Sequence, residues 1–202
     1  MKSSSYYLLF FNIIDKYHLS NDVNTLAVNP YDKNSLENLL FEKCWIDTVQ
    51  WHLEDMIRSP KIKPENGMKL KNRIDSSNQN RTDIVEKIDD YFYTLFNKSN
   101  NPNAKLNTES PGWVVDRMSI LCLKIFHMKE QVDREDVEEK HINNCKQKLH
   151  ILKLQQEDLG NAFDELLNDY KNGSKKMQVY RQMKMYNDKN LNPELYNDKE
   201  QK

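Results

Sequence analysis

Apolar residues recur at three- and four-residue intervals along four long stretches of this chain, and that period dictates helices. Within 111–128 the series Val114, Val115, Met118, Leu121, Cys122, Ile125, Met128 covers one helical face. The same spacing runs through Leu40, Phe41, Cys44, Trp45, Val49 and Met56, and through Leu70, Ile74, Ile84, Ile88, Tyr91 and Leu95. A fourth series is Val137, His141, Cys145, Leu149, Leu152, Leu159, Phe163, Leu166 and Tyr170. No strand alternation competes with these patterns. The chain has 4 Gly and 6 Pro, mostly between the periodic stretches, whereas a β-sandwich needs many turns.

Local signals place the ends of these helices. Asn34 reads as an N-cap with Glu37 completing a capping box, and Pro60 and Pro64 end the helix that begins near Ser35 and runs to Arg58. A second helix runs from Glu65 to Phe96, and NKSNNPNAKLNTES (97–110) is a loop. Ser110 and Pro111 are N-cap and first turn of the third helix. Asp133 and Asp136 mark the start of a fourth, which runs to Tyr170 and stops at Asn172-Gly173. Gly160 lies inside this last helix, where a close helix contact or a kink would explain it.

At the N-terminus, YYLLFFNII is too short to span a bilayer, and no signal-peptide flanks accompany it. Tyr6, Leu9, Phe10, Ile13 and Tyr17 repeat at helical spacing, which predicts an amphipathic docking helix. Residues 175–186 predict a short C-terminal helix, and the rest a loosely attached tail. The expectation is an all-α, up-and-down bundle in one domain, 1–202. It comprises an N-terminal helix and loop (1–33), a core of four long helices (34–173) and a C-terminal segment (174–202).

Lys plus Arg number 30 and Asp plus Glu 31, for a formal charge of -1. Such a balance does not support binding of duplex nucleic acid or an anionic membrane surface, both of which favour a basic excess. Cys44, Cys122 and Cys145 form no CxxC pair and fall on apolar positions, as buried thiols of a cytoplasmic protein do. GxGxxG, P-loop and GxSxG motifs are missing from the sequence. In KKMQVYRQMKMY, basic and aromatic residues interleave as in single-strand nucleic-acid binders. The commoner role for such a segment is to pack Met177, Tyr180 and Met183 on its own domain.

Where the stripes turn polar, the sequence is most informative. His52 lies seven residues after Trp45 and Asp55 one turn later, while Ser77, Asn78 and Arg81 interrupt the second stripe. Counting equal lengths from a turn near Lys63 sets His52 and Asp55 level with residues 74–78. A turn near Asp133 sets His127 level with Glu138 and His141. One layer then holds His52, Asp55, Asn78, Arg81, His127, Glu138 and His141. It can be a structural network with Asp55 or Asp75 neutralising Arg81, which is the commoner arrangement. It can be a pocket in which Arg81 clamps a small anion. It can also hold a divalent metal, Glu138-x-x-His141 being one half of a carboxylate-bridged di-metal spacing. The second half is lacking. Glu86-x-x-Asp89 has the acidic spacing of helical magnesium enzymes, but Ile84 and Ile88 own the buried stripe, so both carboxylates are expected on a solvated face. Trp51 and Trp113 fall beside the stripes and suggest a homodimer contact.

Four blocks carry a resemblance: WIDTVQWHLEDMIR (45–58), KNRIDSSNQNRTDIVEKID (71–89), SPGWVVDRMSILCLKIFHM (110–128) and YRQMKMYNDKNLNPELY (180–196). In them, and in order along essentially its whole length, the chain resembles the bacterial domain-of-unknown-function family 4254. The resemblance implies a bacterial cytosolic helical protein, loosely linked with surface-glycan assembly, and brings no activity, cofactor or catalytic residue. The expected function is therefore that of a non-catalytic binding or accessory protein whose polar layer is structural or holds a small anionic ligand. The alternative is a metal-dependent hydrolase or transferase acting at the same layer.

Overall fold

The computed structural model describes residues 2–99, 101–183 and 190–191. It is an all-α bundle of helices α1 (Ser3–His18), α2 (Leu36–Ile57), α3 (Pro64–Phe96), α4 (Pro111–Val132) and α5 (Glu139–Asn172). Among the described residues no helix is long and apolar enough to cross a membrane. Helix α4 is central: it touches the other four, and its buried residues run from Pro111 to Ile125.

Helix α1 is a wall of the bundle and not a flanking piece, since it packs on α2, α4 and α5. Its apolar residues occupy more than one stripe. Tyr6, Phe10, Ile13 and Tyr17 are buried together with Tyr7 and Ile14. Two features let α1 approach α5 closely. A Cβ at Gly160 would stand 3.1 Å from both Ser3 Oγ and Tyr7 Cε2, so the glycine makes room for the contact. Asp164 then accepts the Ser3 N–H at 2.7 Å and the Ser3 hydroxyl at 2.9 Å, satisfying donors at the α1 N-terminus.

Several ends differ from expectation. The α2 N-cap is Ser35, whose hydroxyl accepts the Asn38 N–H, so Asn34 and Glu37 form no capping box. Helix α5 begins after Glu138, later than the Asp133–Asp136 signal, because Arg134 holds Asp136 in the connecting loop through two hydrogen bonds. It ends as predicted, with Gly173 at φ 75°, a left-handed conformation suited to glycine.

The short helix expected at 175–186 is not formed over 175–183. Lys175–Lys176 instead make a two-residue parallel strand, β2, against β1 (Lys105–Leu106). Met177 is buried, but Tyr180 and Met183 are 73 % and 78 % exposed, so no helical stripe anchors this segment. Its cations are engaged by the domain itself: Lys175 by Asp169, Lys176 by the Pro102 carbonyl, and Arg181 by Asp90 and Glu86. Residues 184–186, and the expected tail apart from 190–191, lie outside the described residues.

Candidate functional site

Helices α2, α3 and α4 bring four charges together in the interior. Lys43 is fully buried on α2 and forms ion pairs with Asp47, one turn on, and with Asp116 of α4 at 2.8 Å. Arg81 of α3 stands 2.7 Å from Asp47 through Nε and 2.8 Å from Asp116 through Nη2. Ser119 adds a 2.6 Å hydrogen bond to Asp47. Two cations and two carboxylates cancel, which is what permits their burial. Burial acts to raise the Asp116 pKa, but the Lys43 ammonium and the Arg81 guanidinium outweigh it and hold the carboxyl below its ordinary value. Next to it on α2, Gln50 makes a separate polar contact with α3, donating to Asn78 at 2.6 Å and accepting from Ser77 at 2.8 Å.

This quartet is the floor between two clefts. The larger, about 780 Å³, lies between α3, α4 and α5 and is lined by Arg81, Asp116, Arg117, Lys124, Gln155 and Asp158 with the apolar Ile120, Leu159 and Ala162. The smaller, about 350 Å³, includes Asp47, Gln50, Trp51, Asp55 and Arg81. A third cleft of about 540 Å³ runs on between α2, α4 and α5 past Lys124, His127, Lys148 and Leu152.

At the far end of α1 three imidazoles meet. His18, His52 and His127, from α1, α2 and α4, each offer one ring nitrogen within 4.8 Å of the others. His18 Nε2 and His52 Nε2 are 3.2 Å apart. The His18 Nδ1 is held by the Ile14 carbonyl at 2.7 Å, and the His127 Nδ1 by Glu130 at 2.6 Å. Aromatic rings fix each imidazole: Tyr17 stacks on His52, Phe126 on His18 and Trp51 on His127. Burial, and then the neighbouring His18 and His127, lower the His52 pKa, favouring its neutral form.

The single polar layer read from the sequence is therefore resolved into two groups. His52 and His127 meet in the imidazole cluster, which also contains His18. Arg81 joins the charge quartet, with Asp47 and Asp116 where Asp55 or Asp75 was expected, and Asn78 accepts from Gln50 of α2. Asp55 is largely exposed, 3.9 Å from Arg58. Glu138 is the exposed N-cap of α5, and His141 faces the Cys145 thiol at 3.4 Å; neither belongs to the imidazole cluster. Their expected level with His127 assumed a tight turn at Asp133, whereas residues 133–138 form a longer loop. Trp51 stacks on His127 within the chain and is half-buried. Asp89 is not on a solvated face: it is buried and caps α4, accepting the Ser110 hydroxyl at 2.5 Å and the Gly112 N–H at 2.6 Å.

Lys43, Asp47, Asp116, Ser119 and His18 were missed. Asp47 carried a readable signal, because it sits three residues after Cys44 on the buried face. His18 carried none beyond its place one residue after Tyr17.

The chain matches the family described as protein of unknown function (DUF4254) over residues 37–179. No curated protein and no solved structure matches it.

Proposed function

Because this chain belongs to the DUF4254 family, whose description assigns no activity, its function has to be read from its own surface, and we propose a non-catalytic binding or accessory protein that holds a small anionic ligand between α3, α4 and α5. The observation that carries this reading is the position of Lys124. It lines both the 780 Å³ and the 540 Å³ clefts and is engaged by no carboxylate among the described residues. Arg81 cannot supply the charge, since Asp47 and Asp116 already neutralise it. Its role is to hold the floor. Arg117 stands beside Lys124 as a second cation, shared with Glu109 at 2.8 Å.

The rest of the wall suits a hydroxylated ligand. Gln155 and Asp158 can accept hydroxyl donors, while Ile120, Leu159 and Ala162 offer an apolar face. A phosphorylated sugar has this combination of anion, hydroxyls and apolar ring face. A cytoplasmic setting, with three buried free thiols, belongs to the same reading.

Titration calorimetry with glucose 1-phosphate and inorganic phosphate tests it. Binding should weaken at least ten-fold in Lys124→Glu, whose exposed side chain leaves folding intact. Absence of binding to the wild type, or equal affinity in the variant, refutes the proposal.

A further inference from the structure

We propose that His18, His52 and His127 bind a transition-metal ion of the zinc class, an inference independent of the anion cleft. Three helices each contribute one imidazole, and one nitrogen of each lies within 4.8 Å of the other two. The 3.2 Å between His18 Nε2 and His52 Nε2 is close to the separation of about 3.3–3.4 Å that two ligands take in a tetrahedral site with bonds of about 2.0–2.1 Å. The His127 ring supplies the third nitrogen, within 4.8 Å of the other two.

Tautomers support the same assignment. The Ile14 carbonyl can only accept, so the His18 Nδ1 carries a proton and its Nε2 presents a lone pair. The Glu130 carboxylate does the same for His127. The outer nitrogen of a metal-bound histidine is ordinarily held in this way by a carbonyl or a carboxylate. His127 Nε2 is then a buried lone pair without a hydrogen-bond partner. A merely aromatic cluster gives that atom nothing to do, and the 3.2 Å pair can share only one proton. A cation facing all three nitrogens satisfies both.

The donor set selects the ion. Three neutral imidazoles suit zinc, cobalt, nickel or copper and are poor ligands for magnesium or calcium, which take oxygen. Three protein ligands leave a fourth position for water or a small molecule.

Cobalt(II) titration of chelator-treated full-length protein, followed by its visible ligand-field absorption, is the test, with zinc competition as the second readout. One equivalent should bind with a four-coordinate spectrum, and zinc should displace it. His52→Ala and His127→Ala should abolish the spectrum, while His141→Ala leaves it unchanged. Should the histidine variants fail to fold, Glu130→Ala, at an exposed carboxylate, should weaken binding about 10- to 100-fold by removing the outer hydrogen bond. No binding, or binding equally strong in His127→Ala and Glu130→Ala, overturns the proposal.

Discussion

Arg81 and Asp47 face each other between α3 and α2 with Nε 2.7 Å from Oδ1, and both also belong to a quartet with Lys43 and Asp116. Removing one member leaves the others buried and unbalanced. Asp47→Ala should therefore cost about 3–5 kcal/mol, because it leaves the fully buried Lys43 ammonium and Arg81 with Asp116 as their one carboxylate in the quartet. Chemical denaturation measures this, and a loss below about 1 kcal/mol would show that the quartet does not organise the core.

The same quartet has a pH signature. Asp116 has a folded-state pKa below its ordinary 3.8, so its charge contributes stability that is complete above 3.8 and is lost as pH falls through the lower folded value. The stability difference between the wild type and Asp116→Asn should be constant from neutral pH to the ordinary carboxylate range and then shrink. Denaturation midpoints at a series of pH values give the curve. A difference that stays flat, or grows in acid, would contradict the assignment.

Gly112 is required by space. A Cβ there would lie 2.5 Å from the Val85 carbonyl oxygen and 2.8 Å from Asp89 Oδ1, and the backbone atom cannot swing aside. Gly112→Ala should destabilise by about 1–3 kcal/mol through overpacking. Gly67, in the first turn of α3, has its nearest neighbour at 4.0 Å. Gly67→Ala should stabilise by up to about 1 kcal/mol. Thermal melts of the two variants should move in opposite directions.

The thiols should be inert in the folded protein. Cys44 is pushed up to about 12 by burial, helped by the neighbouring Asp47, and Cys122 is raised well above its ordinary value by burial as well. Cys145 is buried beside His141. Ellman's reagent should titrate none of the three within minutes in native buffer, and all three in denaturant. Fast native labelling of one thiol would show that its helix opens.

Deleting residues 1–19 should abolish cooperative unfolding, because Phe10, Ile14 and Tyr17 fill the centre shared by α2, α4 and α5. A truncated protein with an intact melt would return α1 to the status of a docked accessory.

Helix period was legible in the sequence because it follows from local spacing: 3.6 residues per turn put Val115, Met118 and Cys122 on one face whatever they pack against. The α2–α3 register was legible for a similar reason. A short turn forces equal lengths on either side, and Gln50 does lie against Ser77 and Asn78. Capping by a helix's own residues is local too, but Ser110 does not act that way: its hydroxyl is given to Asp89, a residue of another helix.

Partners across helices were decided only by the tertiary structure. Asp47 and Asp116 reach Arg81 from α2 and α4, and a carboxylate's choice among cations depends on helix rotation and crossing, which a stripe pattern does not record. His18 joins His52 and His127 only because α1 is a full wall of the bundle, pinned at its other end by Asp164 and the space at Gly160. The sequence by itself determined the helices and the polarity of their faces. Which polar faces meet, and hence the separation of a neutralised charge quartet from a cluster of three imidazoles, was settled by long-range packing among helices distant in sequence.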